Sequence, residues 1–511
     1  MDYNSKYEGA DIEAKLDKID LLNAGMEDTD ETVEDVVSLP FVSYIEQELT
    51  DEQKEQARKN IGVDGVSSAF VSYEEQELTE EQKEQARKNI GAMSTDELFD
   101  EDKYAYGVEF DTNVSSPTCT RIGNMALHRT LPVQSLMRGC LLDDNGNVVE
   151  YLDQNDWTKN TLNGSKGQVM VEIPQHYRRF AESGTIRQVW LSLKPLFGYH
   201  VVPKCYVSAY RATVQRSTLK LASVKNTSTD YRGGDNTSNW DGTYRSLLGL
   251  PATNISRTNF RAYARKRKPS TYEWNCMTYD IQKTLCWLFV TEYATLNSQA
   301  DYNAQLNANG FRQGGLGAGA TTLDNDKWRS YNTLNPFIPC GFTDSLGNNT
   351  GVIEYTMPSQ YNSTTTKVQV SRYRGVENPF GLVWDAVDGI NACIGPTLSK
   401  IYICSNPSNF TDDGYDGYKY VGDAAVSNGY INKTIFGENG EIVASGVSGG
   451  STTYCCDYHY TSIPSSEALR AVIFSAGGAS GAYAGFFCVN LTTAPSLVTQ
   501  DLGTRLCFIP L

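Results

Sequence analysis

The chain has 511 residues, with 61 Asp and Glu against 44 Lys and Arg and a formal net charge of −17. Its length predicts roughly two to four domains, and 40% hydrophobic residues with 31 Tyr and 7 Trp support a sizeable core. The acidic excess lies wholly in residues 1–100, which hold 27 acidic against 9 basic residues, leaving 34 against 35 for the remainder. This argues against nucleic-acid binding through the N-terminal arm, because phosphate contacts need Lys and Arg.

Residues 1–38 begin with Ile12, Leu16, Ile19 and Leu22 at helical spacing and then run into Glu27-Asp-Thr-Asp-Glu31. A short helix that plugs into a partner and a frayed terminus are equally open here. The start, Met1-Asp-Tyr-Asn-Ser, lacks the basic and apolar stretches of a signal peptide. No run of about 18 apolar residues occurs, so membrane insertion is not expected and synthesis in a cytoplasm is.

Residues 39–100 contain a tandem repeat. FVSYIEQELTDEQKEQARKNIG at 41–62 returns at 70–91, an offset of 29 residues, with only Ile45/Glu74 and Asp51/Glu80 changed. Thr50 and Thr79 suit helix N-caps, Gln53 and Gln82 complete capping boxes, and Gly62 and Gly91 suit the C′ position. The apolar face of each short helix is thin (Leu49, Ala57, Ile61; Leu78, Ala86, Ile90), so such a helix is marginal alone. Burial supplied by other chains around a symmetry axis gives a self-assembling stalk. A flexible, partly helical linker is the plainer reading.

The strings ELTDEQKEQARKNIG and ELTEEQKEQARKNIG resemble a segment recurring in bacteriophage tail-fibre, collar and head-fibre proteins, over about 50 residues. The resemblance implies a shaft or anchoring region of a fibrous, usually trimeric, protein. On that basis residues 1–40 are expected to meet a capsid or tail protein, and the chain is expected to be a homotrimer.

Residues 101–250 read as β-rich. Asp144-Asn-Gly-Asn147 between Leu141-Leu142 and Val148-Val149 signals a hairpin. Gln168–Ile173 reads as a strand, as do Val201-Val202 and Tyr206–Tyr210. One strong helix follows, carried by Met277, Ile281, Leu285, Leu288, Phe289 and Tyr293 and expected to run to about Thr295, with Asp280, Gln282 and Lys283 as polar outer positions. Before it, Arg261–Lys268 holds five basic residues, expected on a solvated loop or a face that pairs with a neighbour's acidic arm. Gly310–Gly319 lacks both the phosphate-loop and the dinucleotide spacing, so it reads as a mobile surface loop.

Between 451 and 500, Tyr, Ser, Thr, Asn and Asp alternate with small glycines, a mixture that gives large contact area and adaptable hydrogen bonding. The candidate binding residues are Trp384, Tyr454, Asp457, Tyr458, Tyr460, Ser475, Ser480, Tyr483 and Asn490. The plainer reading is that Tyr454, Tyr458 and Tyr460 merely share one side of a strand.

Arg374–Gly389, Tyr454–Tyr460, Gly477–Gly485 and Gly503–Phe508 are similar to C-type-lectin-like domains of phage and bacterial surface proteins. The ending also resembles the variable region of retroelement-diversified target proteins, a group related to the formylglycine-generating-enzyme fold. The resemblance spans roughly 250–511 and implies a rigid scaffold that displays changeable side chains to a cell-surface partner. The fold class expected is therefore α+β and multidomain. An anchor (1–38) and stalk (39–100) precede a β-rich connecting region (101–250) and a lectin-like domain (251–511).

Catalytic signals are weak. His128, His176, His200 and His459 lie far apart, and the twelve cysteines lack zinc spacing and read as buried small hydrophobes. Asp385 and Asp388 fit one helical turn and read as solvated or capping residues rather than as a glycosidase pair. Asp412–Gly417 lacks the closing ligand of a calcium loop. The calcium-and-sugar signatures of animal lectins are also missing. The expectation is a non-enzymatic virion fibre without cofactor or metal that adheres to a host surface glycan or protein through residues 451–500. A tailspike glycan depolymerase and a purely structural capsid decoration are the alternatives.

Overall fold

The computed structural model describes Thr79 and residues 100–234, 246–324, 326–327, 336–358 and 366–510. The expected anchor and helical repeat stalk lie outside the described residues. Where the reading expected an α+β chain, strands dominate the described residues, and a single helix, Tyr279–Tyr293, is longer than nine residues there. No described helix is long and apolar enough to cross a membrane.

Three sheets carry most of the body. A five-stranded antiparallel sheet runs Thr120–Gly123, Ala105–Asp111, Ile186–Ser192, His176–Ser183, His200–Val202. A six-stranded sheet runs Trp274–Cys276, Leu506–Phe508, Cys205–Ser208, Gln168–Ile173, Arg138–Leu142, Val148–Tyr151. The nine-stranded sheet is built around Trp384–Gly395, which pairs with Leu398–Ile403 on one side and Ala468–Phe474 on the other.

Local chemistry explains several elements. Gln168–Ile173 is buried throughout, and its two polar residues are satisfied internally, Gln168 by the Ser223 amide and Glu172 by the Tyr151 and Tyr206 hydroxyls. The Asp143–Asn147 turn closes because the Asp143 carboxylate accepts from the Asn145 and Asn147 amides at 2.9 and 2.8 Å. Gly146, at φ +89°, supplies the left-handed residue that the turn needs.

The expected boundary at residue 250 does not separate two cores. Leu506–Phe508, near the end of the chain, is inserted between Trp274–Cys276 and Cys205–Ser208. The helix Tyr279–Tyr293 is buried at every position except Asp280, so Gln282 and Lys283 are interior rather than outer residues. Its Trp287 ring lies 6.3 and 5.9 Å from Phe110 and Phe180 of the five-stranded sheet and 5.6 Å from both Phe436 and Phe487. One aromatic centre thus joins residues from both sides of the supposed boundary.

The basic run Arg261–Lys268 is also more interior than expected. The helix Arg257–Arg265 buries Arg257 and Arg261, and Arg267 beyond it is buried too. Arg261 grips Asp388 with two hydrogen bonds of 2.5 and 2.9 Å, and Arg257 reaches Asp412 at 2.6 Å. Within Gly310–Gly319, Gly315 and Gly317 donate to the Asp301 and Ala300 carbonyls at 3.1 and 2.9 Å, and Leu316 is buried. This segment is packed down, not loose.

Candidate functional site

The short strand Tyr458–Tyr460 fixes the centre of the site. It pairs antiparallel with Gly429–Phe436, placing Tyr430 opposite Tyr458, and parallel with Val489–Asn490, placing Tyr460 opposite Asn490. Alternation sends His459 inward, where it is fully buried with Nε2 2.9 Å from the Ala425 carbonyl, and leaves Tyr458 and Tyr460 on the outer side.

Five aromatic rings converge there. Tyr458 lies 4.7 Å from Tyr460, 4.4 Å from Tyr483 and 5.2 Å from Tyr430, and Tyr430 lies 5.4 Å from Tyr483. Trp384 meets Tyr460 edge-on at 5.8 Å. These are the offset and edge-to-face distances at which aromatic pairs are mutually favourable. Tyr483 is 40% exposed, and Trp384, Tyr430, Tyr458 and Tyr460 are half-buried. Each ring is therefore held by its neighbours while part of its surface stays open. Burial, foremost, raises the Tyr430 and Tyr460 hydroxyls above their usual range, so both remain protonated donors at neutral pH.

The turn bearing Tyr483 is tied down by backbone contacts. The Gly481 amide donates to the Thr321 carbonyl at 2.7 Å, and the Gln299 side-chain amide donates to the Gly481 and Ala484 carbonyls at 3.0 and 2.6 Å. Trp384 is fixed by its own amide on the Asp501 carbonyl, 2.8 Å away. A face held this way loses little conformational entropy on binding.

Of the nine residues singled out from sequence, Trp384, Tyr458, Tyr460 and Tyr483 belong to the cluster. Tyr430 joins them and was missed, because only strand pairing brings it to Tyr458. The other five lie outside the ring cluster, although Tyr454, Ser480 and Asn490 are only half-buried. Tyr454 adopts φ +54°, donates its amide to the Ser115 carbonyl at 2.6 Å and lines a small crevice with Phe110 and Asn432. Asp457 and Ser475 are buried. The Ser480 hydroxyl accepts from Gly477 at 3.2 Å, and the Asn490 side chain accepts from Thr492 at 2.7 Å, so both serve their own turns.

Asp457 instead supports the site from below. Its Oδ2 accepts from the Phe487 amide at 2.8 Å, bracing the segment that follows Tyr483. A side chain at Gly485 would collide with this carboxylate, 2.1 Å from the Cβ position. Burial drives the Asp457 carboxyl well above the usual carboxylate range.

The other candidate carboxylates are engaged internally. Asp385 and Asp388 lie in the strand Trp384–Gly395, not on a helical turn, and both are fully buried, Asp385 against Arg211 and Asp388 against Arg261. Neither is placed to meet a substrate. Asp412 accepts from Arg257 and Thr258, each at 2.6 Å. Among the described residues no group of three or more His, Cys, Asp or Glu side chains could hold a metal ion. Eleven of the twelve cysteines are buried free thiols, and burial raises those whose shift is resolved.

No protein-family model matches the chain, and no curated protein matches it. Among solved structures, the chain is similar to one described as "Major Tropism Determinant U1 Variant", with 11% identity and a TM-score of 0.22. The match covers 60% of this chain and spans half the length of that protein. A superposition this loose does not establish a shared fold. What defines the class of the molecule is its own geometry: a β-rich body presenting a braced, partly open aromatic face.

Proposed function

We propose that this chain is a non-enzymatic phage virion protein whose C-terminal body attaches the particle to a glycan on the host surface through the aromatic face. The observation that carries the reading is the convergence of Trp384, Tyr430, Tyr458, Tyr460 and Tyr483 on one braced surface. Aromatic faces stack on the C–H faces of sugars, and the tyrosine hydroxyls give and accept hydrogen bonds with sugar hydroxyls. The tandem repeat supports the virion part of the reading, through its resemblance to phage fibre segments, together with an anchor in residues 1–40 and a homotrimeric stalk.

Two measurements test this. Intact protein should bind isolated host envelopes at micromolar concentration and release no reducing ends from their polysaccharide. Absence of binding removes the adhesive reading, and release of reducing ends restores the depolymerase. Light scattering should give three times the 56.6 kDa chain mass, and a monomer mass removes the trimer.

A further inference from the structure

A second surface pocket has a different chemistry. Its lining includes Arg129, Ser135, Leu306, Arg312 and Arg374 but, among the described residues, no carboxylate, and its volume is about 140 Å³. That is well above the ~10–15 Å³ that a single water needs, and leaves room for a tetrahedral oxyanion. A larger cleft elsewhere differs in charge: Arg178, Lys283 and Lys419 line it together with Asp280, Glu438 and Glu441.

The arginines are undercompensated. The carboxylate behind them, Glu292, is fully buried and is used by Arg374 in a two-point pair of 3.0 and 2.6 Å. Arg312 stands 3.8 Å from the same carboxylate with about a third of its side chain exposed. Arg129 and the neighbouring Arg121 find only carbonyl partners among the described residues: Asn309 for Arg129, and Thr291 and Arg312 for Arg121.

Both of these guanidiniums also lie over the Phe311 ring, at 5.4 and 4.9 Å from its centre. The ring attracts each cation and so holds two like charges near each other. Burial pulls the Arg121 guanidinium down to about 10, against the opposing pull of the nearby Glu292 carboxylate. An anion in the pocket would meet the guanidiniums of Arg129, Arg312 and Arg374 that line it, and guanidinium forks match tetrahedral oxyanions well.

We propose that the pocket lined by Arg129, Arg312 and Arg374 is a binding site for an oxyanion of the phosphate type. It stands apart from the adhesive reading, because none of its residues belongs to the aromatic face. The chemistry fits free phosphate and the phosphodiester of a surface polymer alike.

The test uses the intact protein, with inorganic phosphate and poly(glycerol phosphate) as probes in buffers matched to chloride for ionic strength. Phosphate should raise the melting temperature above the chloride control, and Arg312→Gln and Arg129→Gln should each weaken its apparent affinity about tenfold. Both positions reach solvent, so the variants are expected to fold, and the chloride-buffer melting temperature checks this. Tyr458→Ala should leave the phosphate effect intact, which separates failure here from failure of the adhesive reading. The absence of a phosphate-specific shift, or the same shift in wild type and both arginine variants, overturns the site. Tighter binding of the polymer at equal phosphate concentration assigns the site to a surface polymer, and equal binding assigns it to the free ion.

Discussion

Replacing Asp457 with Asn removes an ionisable group from beneath the aromatic face while keeping an oxygen to accept the Phe487 amide. The Asp457 carboxyl is 1% exposed, its Oδ1 has no partner among the described residues, and burial holds it well above 3.8. Because the folded value exceeds the unfolded one, folding takes up a proton wherever the unfolded carboxyl is ionised. The contribution to stability is complete below the unfolded value and is lost as pH rises through the folded value. Within that window wild-type stability should fall by about 1.4 kcal/mol per pH unit relative to the variant. Urea unfolding of both proteins, from about pH 4.5 upward, reads this difference directly. The gap should open in favour of Asp457→Asn and then level off where the folded carboxyl ionises. His128, His176 and His459, which burial pushes down to about 4, destabilise both proteins as pH falls below 6.5, and they cancel in the difference. Parallel curves across the range would mean that Asp457 is ionised in the fold, and would refute the argument.

Two further predictions concern the core. Trp287→Ala should cost about 3–5 kcal/mol, because the ring fills the space between four phenylalanines and its indole donates to the Gly440 carbonyl at 2.7 Å. A loss below about 1 kcal/mol in urea unfolding contradicts this central role. Lys283→Met strands the buried Glu441, now 3.1 Å from the ammonium, and should cost about 3–5 kcal/mol, most of it recovered in Lys283→Met/Glu441→Leu. Failure of the double variant to recover would show that the pair is not what Glu441 depends on.

Elements set by local chemistry were legible in the sequence. The Asp143–Asn147 hairpin and the helix Tyr279–Tyr293 announce themselves through turn residues and periodicity, and both stand where these signals place them. Burial of polar groups was not legible. Gln282 and Lys283 look like outer positions until the Phe486 carbonyl and Glu441 are found facing them. Asp385 and Asp388 fit a helical turn by spacing alone, yet their segment is a strand whose cationic partners lie more than 100 residues away. Within the site, alternation identified Tyr458 and Tyr460 but carried the pattern too far. The positive φ at Tyr454 and Cys456 breaks the extended chain, so Tyr454 leaves the shared face. Tyr430 belongs to the cluster only through its register with Tyr458, which no single segment encodes. The alternation around Gly429-Tyr-Ile-Asn was the one signal that could have drawn attention to it.

The most direct test of the account is the affinity of intact protein for host surface polysaccharide, wild type against Tyr458→Ala/Tyr483→Ala. Both side chains reach solvent, so the melting temperature should change little. Binding should weaken about tenfold or more, the scale of losing a single aromatic anchor. Equal binding by the two proteins would place the receptor contact elsewhere and contradict the role given to the aromatic face.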